Sequence, residues 1–170
     1  MAPEELACLT AWDKSHAWHP FTQMHDWTAP EHQPLFITHG EGAWLVDHAG
    51  QRYLDGNSTI WTNLHGHRHP HLDAAVREQL GKIAHVSALG FSNEPATRLA
   101  KALVDLWPEG TLSRVFFSDD GSTAIECAVK MALQYHQLAG HPERVGFAAF
   151  ENAYHGDTMA AATLGGDGQG

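Results

Sequence analysis

The stretch Phe116-Phe117-Ser118-Asp119-Asp120-Gly121-Ser122-Thr123-Ala124-Ile125-Glu126-Cys127-Ala128-Val129-Lys130 limits the possible folds more than any other part of the chain. Residues 114–118 are β-rich and stop at a turn. After it, Ala124, Ala128, Met131, Ala132 and Tyr135 recur at three- and four-residue intervals, the spacing of one helix face. Ser122 or Asp120 can cap that helix, and Gly121 lets the backbone come close to a ligand. A strand, a small-residue turn and a helix N-terminus gather unpaired N–H groups at the positive end of a helix dipole. Such a place suits an anion, typically a phosphate. The same pattern also describes an ordinary, well-capped βα turn.

The segments around it extend the pattern. Leu72, Ala75, Val76, Leu80 and Ile83 have helical spacing, as do Ala96, Leu99, Ala100, Leu103 and Leu106, and both stripes read as core faces. Asn93 or Ser92 caps the second of these helices, and Pro108 and Gly110 end it. Residues 144–150 form an apolar run that reads as a strand buried on both faces. It leads into Glu151-Asn152-Ala153-Tyr154-His155-Gly156-Asp157-Thr158, where Asp157 or Thr158 can cap a short helix over 159–163. Helix, strand, helix, strand, helix predicts an α/β fold with a parallel sheet. Ligands in such sheets bind at the carboxyl ends of strands. The turns at 118–123 and 150–156 both lie there, so they can face one pocket, the first offering N–H donors and the second the Tyr154 ring. Taken alone, Tyr154 reads as a half-buried surface tyrosine.

The first half is organised differently. A short helix is expected over 4–14, then the proline-broken run Trp18-His19-Pro20-Phe21-Thr22-Gln23-Met24 reads as loop. The aromatics between 12 and 27 either pin an N-terminal arm onto the domain or line a pocket for an extended or planar ligand. Short strands are expected at 34–38, 43–47 and 52–55, with 48–51 as the turn of a hairpin and Gly40 and Gly42 bracketing a tight connection. Residues 55–71 are polar, aromatic and glycine-containing, the composition of a binding loop. His65, His67, His69 and His71 alternate there and would share one face of an extended strand, so a histidine-rich metal-binding protein is an alternative reading. Against it, the spacing matches no common zinc pattern, cysteine partners are absent, and Pro70 interrupts a strand.

The net charge of −10 argues against nucleic acid and anionic membrane as partners. No apolar run approaches membrane-spanning length, and residues 1–10 carry Glu4 and Glu5 without a basic n-region, so no secretory signal is read and the cytoplasm is expected. Cys8 and Cys127 read as free thiols rather than a disulfide framework. Two or three parallel strands leave edges unpaired and faces uncovered. With the chain stopping in a glycine-rich loop, it is expected to be the N-terminal part of something longer.

Together these motifs resemble the class III, fold-type I aminotransferases that use pyridoxal 5′-phosphate. Residues 42–55 look like that family's early hairpin, Gly66-His67-Arg68-His69-Pro70 like its Gly-His-x-x-Pro signature, residues 118–130 like its Gly-Ser cofactor turn and helix, and Tyr154-His155-Gly156 like its Tyr-His-Gly turn. Within the family, the run from Trp18 to Met24, together with Ser58-Thr59-Ile60-Trp61 and Met131-Ala132-Leu133-Gln134-Tyr135, resembles the branch that works in biotin synthesis. That branch moves an amino group from S-adenosylmethionine to 8-amino-7-oxononanoate. Other class III branches act on ω-amino acids or diamines.

The resemblance implies a domain division: an arm and hairpin over 1–60, then the first part of the large cofactor-binding domain over 61–170. It implies that Gly121 and Ser122 hold the cofactor phosphate, that Tyr154 stacks on its ring, and that Phe21, Ile60, Trp61 and Tyr154 line the substrate pocket. Position 21 is often tyrosine in that branch and position 60 often tryptophan, so Phe21 lacks a hydroxyl and Ile60 a stacking surface. It also implies a homodimer with sites at the subunit interface. The chemistry needs a Schiff-base lysine. Of the lysines present, Lys14, Lys82 and Lys101 have no cofactor turn beside them, and Lys130 lies about two helical turns into the helix behind the phosphate turn, where it is expected to face away from the ring. The family's lysine, its aspartate for the pyridine nitrogen and its carboxylate-binding arginine come after residue 170. No catalytic residue is therefore expected in this segment, and the segment alone is expected to be inactive.

Overall fold

In the computed structural model, residues 1–165 are described, and the chain divides into two compact units, residues 1–86 and 87–170. The first unit begins with α1 (Pro3–His16), which has proline in its first turn, Glu4 and Glu5 at the positive end and Lys14 and His16 at the negative end. No apolar stripe anchors α1. It is tied instead by Asp13, whose carboxylate accepts the Trp27 indole N–H at 2.8 Å and meets His19 Nε2 at 3.0 Å, and by Lys14 Nζ, which donates to Ala29 O at 2.6 Å. Trp27, at the end of the single turn α2 (Met24–Trp27), lies between the His19 and His32 rings, 4.2 and 4.5 Å from their centroids. Trp27 thus ties segments of the arm to one another, whereas Trp12, Trp18 and Phe21 stay exposed, Phe21 at 94%.

An antiparallel sheet of β1 (Ile37–Glu41), β2 (Trp44–Asp47) and β3 (Arg52–Leu54) follows, in that order. The hairpin is the expected one; the first strand lies three residues later than its apolar run, because its partners are fixed from Ile37↔Asp47 to Glu41↔Trp44. Asp47 is the buried plug of the β2–β3 turn. It accepts the N–H groups of Ala49 (2.9 Å) and Gln51 (2.8 Å) and the Tyr53 hydroxyl (3.0 Å). Burial alone would push its carboxyl up. The Gln51 N–H, the Tyr53 hydroxyl and the Ala49 N–H outweigh it and hold Asp47 below the ordinary carboxylate range. After β3 the chain makes one turn, α3 (Ser58–Trp61), then an isolated bridge between Gly42 and His67, then α4 (Pro70–Leu80).

The second unit contains α5 (Glu94–Val104), α6 (Gly121–Leu138) and α7 (Met159–Leu164). Asn93 caps α5 by accepting the Ala96 N–H at 2.9 Å, one of the two caps the sequence allows. Residues 114–118 and 144–150 are not in a ladder with each other or with any described residue, which corrects the expected parallel strands at the level of pairing. A strand exists only through its neighbour, and the runs carry the strand pattern without bringing one.

The expected core faces also need correcting. Among the described residues Leu72, Val76, Leu80 and Ile83 on or just after α4, and Leu99, Leu103 and Leu106 on or just after α5, are exposed. Beyond the first turn of α6 the residues drawn inward are Ile125, Glu126, Cys127, Val129, Ala132, Leu133 and His136; of the expected face Ala132 is among them, while Ala124, Ala128, Met131 and Tyr135 are exposed. A helix apolar on two sides has no unique stripe, and the stripe read from the sequence is the one left mostly exposed among the described residues.

Candidate functional site

The N-terminus of α6 is built by Asp120. Its side chain accepts the Thr123 N–H at 2.8 Å, and the Thr123 hydroxyl closes the reciprocal bond with Asp120 N at 3.1 Å, a capping box. Asp120, rather than Ser122, is therefore the cap. Its backbone oxygen takes the Ala124 N–H, which leaves the N–H groups of Gly121 and Ser122 without an acceptor among the described residues. The Ser122 hydroxyl points away from capping, toward the second turn.

That turn meets it as the sequence order of the two motifs suggests. Asp157 N donates to Ser122 Oγ at 3.2 Å, and the Thr158 hydroxyl donates to Ser122 O at 3.4 Å. Glu126, one helical turn after Ser122, accepts the Thr158 hydroxyl and the Ala160 N–H, each at 3.0 Å. Glu126 thus caps α7 from α6, across 34 residues of chain. Sequence reasoning left Glu126 without a role; its position one turn along α6 from Ser122 was the available signal. Between the two elements sits Gly156, buried, with φ +121°, where a Cβ would fall within the Ser122 side chain and 2.8 Å from its Cα. Glycine is required there both by φ and by space.

Tyr154 stands at the edge of this junction, and its hydroxyl donates to Asp157 Oδ2 at 2.6 Å. That bond, with burial and the neighbouring carboxylates, raises the phenol above its ordinary value, so it remains a neutral donor at neutral pH. His155 Nε2 is buried without a partner among the described residues. A cleft of about 400 Å³ is lined by residues including Asn152, Tyr154, Gly156 and Ala161 but by neither Gly121 nor Ser122, so it is not the anion-accepting point itself. Two free N–H groups, a serine hydroxyl, the dipole of an 18-residue helix and a glycine that keeps the facing turn close fit a phosphate ester.

The other candidate residues belong to the first unit. Phe21, Ile60 and Trp61 are all exposed, and each has left-handed backbone, with φ of +50°, +55° and +67°. Among the described residues, the seven non-glycine positions with positive φ, namely Phe21, Ser58, Thr59, Ile60, Trp61, Arg68 and Asn152, fall within stretches singled out above on sequence. Such conformations cost on the order of 1–3 kcal/mol each and gather where function holds them. The alternating histidines do not share a strand face: His69 precedes α4 and His71 lies in it. His65 and His69 have ring centroids 6.0 Å apart, and no group of three or more His, Cys, Asp or Glu among the described residues is placed to hold a metal ion.

Three of the four lysines have partners away from this junction. Lys14 binds Ala29 O, Lys82 pairs with Glu78 at 2.7 Å, and Lys101 pairs with Asp105 at 2.6 Å. Lys130 is exposed on α6, about 12 Å along the axis from Ser122 at helical rise.

Comparison with known proteins identifies the family and the fold. The family model described as Aminotransferase class-III matches residues 27–169. An adenosylmethionine-8-amino-7-oxononanoate aminotransferase from Nitratidesulfovibrio vulgaris is 50% identical over 167 residues, covering 97% of this chain and 30% of the relative. The protein of the same name from Geobacter sulfurreducens is 48% identical, with 98% and 36% covered. Among solved structures, that of the Methanocaldococcus jannaschii adenosylmethionine-8-amino-7-oxononanoate aminotransferase superposes with a TM-score of 0.87 at 44% identity, over 93% of this chain and 35% of that one. A thermostable (S)-enantioselective omega-transaminase from Thermomicrobium roseum gives 0.86 at 36% identity, over 96% and 37%. The chain spans about a third of the length of the relatives it matches.

Proposed function

The chain belongs to the class III aminotransferases and shares their α/β fold, and from that premise we propose that the protein carrying it transfers the amino group of S-adenosylmethionine to 8-amino-7-oxononanoate, giving 7,8-diaminononanoate for biotin synthesis. Support for that substrate pair comes from the 50% identity to a relative named for it, spread over 97% of the chain. The geometric observation that carries the reading is the junction of Ser122 and Gly156 at the free N-terminus of α6.

Bound, pyridoxal 5′-phosphate supplies the electron sink that lets an amino group leave one substrate and join another. The N–H groups of Gly121 and Ser122 and the Ser122 hydroxyl are assigned to its phosphate. The Ser122 oxygen accepts from Asp157 N, which leaves its own proton to donate. Tyr154 is assigned to the cofactor ring, steadied through its hydroxyl by Asp157. Phe21, Ile60, Trp61 and Tyr154 are assigned to substrate contacts. No lysine of these residues is assigned to the cofactor, so residues 1–170 alone are expected to bind without turning over. The division into an arm with hairpin over 1–60 and the start of the cofactor-binding domain over 61–170, a homodimer and a cytoplasmic location belong to the same proposal. Among the described residues no helix is long and apolar enough to cross a membrane.

The test is amino transfer by the full-length protein loaded with pyridoxal phosphate, with 7,8-diaminononanoate followed by mass spectrometry. Formation of product from S-adenosylmethionine supports the proposal. The structural likeness to an omega-transaminase, with Phe21 and Ile60 in place of more polar or larger residues, favours a second reading, an ω-amino acid or diamine substrate. Turnover with those donors and none with S-adenosylmethionine would replace the first reading by the second.

A further inference from the structure

Asp55 ends the hairpin: its N–H is bonded to Ala43 O at 2.9 Å, and its side chain is only 4% exposed. The carboxylate makes three bonds. Oδ1 accepts the Thr59 N–H at 2.7 Å, and Oδ2 accepts the Thr59 hydroxyl at 2.7 Å and meets His67 Nε2 at 2.9 Å. His67 is itself fixed. Its N–H donates to Gly42 O at 2.7 Å, its carbonyl accepts the Gly42 N–H at 3.1 Å, and its ring lies so close over Gly40 that a Cβ there would be 2.7 Å from its Cγ. One buried carboxylate therefore joins the hairpin, the α3 turn and the loop after it.

The turn it holds is not one the chain would choose. Ser58, Thr59, Ile60 and Trp61 all have positive φ, between +51° and +67°, and Thr59 and Ile60 are β-branched, the residue type least suited to that region. Core packing does not account for the conformation, because Ile60 and Trp61 remain 64% and 76% exposed. What it does achieve is to present two large apolar side chains outward from a short turn bonded to Asp55. The bonds from Thr59 also hold Asp55 below the ordinary carboxylate range, so the group is an acceptor at every oxygen near neutral pH.

We propose that Asp55, through Thr59 and His67, is a positioning residue that locks the left-handed 58–61 turn and so sets where Ile60 and Trp61 meet the amino acceptor. The inference rests on the assignment of Ile60 and Trp61 to substrate contacts made above. Asp55 itself does not touch substrate. Its removal is expected to act on acceptor recognition and to leave cofactor binding alone.

The test uses the full-length, cofactor-loaded protein with Asp55→Asn, Thr59→Val and Thr59→Ser. Thr59→Val deletes one hydroxyl at constant shape, so it isolates the clamp where Asp55→Asn destabilises the fold; Thr59→Ser restores the hydroxyl. Asp55→Asn and Thr59→Val are expected to raise the acceptor KM roughly tenfold, the loss of about one charge-assisted hydrogen bond, with kcat changed less than about threefold. The visible spectrum of the bound cofactor should not move, and Thr59→Ser should stay within about twofold of the parent. Trp61 emission, taken as the difference between each protein and its Trp61→Phe counterpart, reports the turn without any substrate. An unchanged Trp61 signal in both Asp55→Asn and Thr59→Val overturns the clamp whatever the substrate proves to be. A changed Trp61 signal with an unchanged acceptor KM overturns the link to recognition. Absence of transamination in the parent protein instead removes the functional reading and leaves the Trp61 readout to decide the clamp.

Discussion

Replacing Gly156 by alanine tests the junction on which cofactor binding is proposed to depend. An added Cβ would meet the Ser122 Cβ at 2.6 Å and its Cα at 2.8 Å, as well as its Oγ. The Cα belongs to the first turn of an 18-residue helix and cannot rotate away. Carbon atoms pack at about 3.5–4.0 Å, so the 154–157 turn must retreat from α6 by about 1 Å. The backbone must also leave φ +121°, which only glycine adopts readily. Strain of about 1–3 kcal/mol and overpacking of about 1–3 kcal/mol add to roughly 2–6 kcal/mol. Where binding needs the turn back at its parent position against Ser122, the cost falls on the bound state, and at 1.4 kcal/mol per tenfold even the lower figure weakens pyridoxal phosphate binding by about 30-fold. Fluorescence titration of the full-length apoprotein with the cofactor measures this. Gly146→Ala serves as the control, since a Cβ there meets nothing within 4 Å. Cofactor affinity of Gly156→Ala within about threefold of Gly146→Ala would refute the argument, because the collision is too large to be absorbed without moving the turn.

Glu126→Ala strips the acceptor from the Thr158 hydroxyl and the Ala160 N–H, and is expected to cost about 1.5–3 kcal/mol. Hydrogen exchange should show lost protection at Ala160 while α5, capped independently by Asn93, is unaffected. Asp120→Ala opens the capping box of α6 and should destabilise by about 1 kcal/mol, with Asp120→Ser recovering most of it in urea denaturation. Asp47→Asn removes a carboxylate whose folded value is depressed, so its stabilisation is present above the ordinary Asp value of about 4 and lost as pH falls through the lower folded value. The melting-temperature gap between parent and Asp47→Asn should be full at neutral pH and close in acid; a gap that widens in acid would reverse the sign.

Local signals were legible wherever a residue acts on its own neighbours. The helices α1, α4, α5, α6 and α7, the β2–β3 hairpin and the Asn93 and Asp120 caps follow from spacing and from side chains that reach backbone three residues away, whereas the single turns α2 and α3 lie in stretches that read as loop. The burial side was not legible, and α6 explains why. Both Ala124-Ala128-Met131-Tyr135 and Ile125-Val129-Leu133 repeat with helical spacing, so periodicity offers two faces, and which one turns inward depends on what else is present. The same holds for residues 114–118 and 144–150. Their apolar character fits a central strand, but pairing is a property of two segments, and none of the described residues supplies the second.

The site divides along the same line. Gly121, Ser122 and Tyr154 could be named from sequence because a phosphate-binding turn is a local object of a few residues. Glu126, Gly156 and Asp55 act by joining elements 34, 34 and 12 residues away, and nothing in the neighbouring sequence announces the partner. Their evidence is instead a conflict. A carboxylate on the inner face of a helix, a glycine wedged against a serine, and β-branched residues in left-handed turns are each unfavourable alone. Each becomes intelligible once its bond is drawn, Glu126 to Ala160, Ser122 to Asp157, Asp55 to Thr59. The residues that break local rules are therefore the ones carrying the long-range architecture of the site. If substitution at Asp55, Glu126 or Gly156 proved as mild as at exposed positions such as Gly146, that link between local conflict and function would fail in this protein.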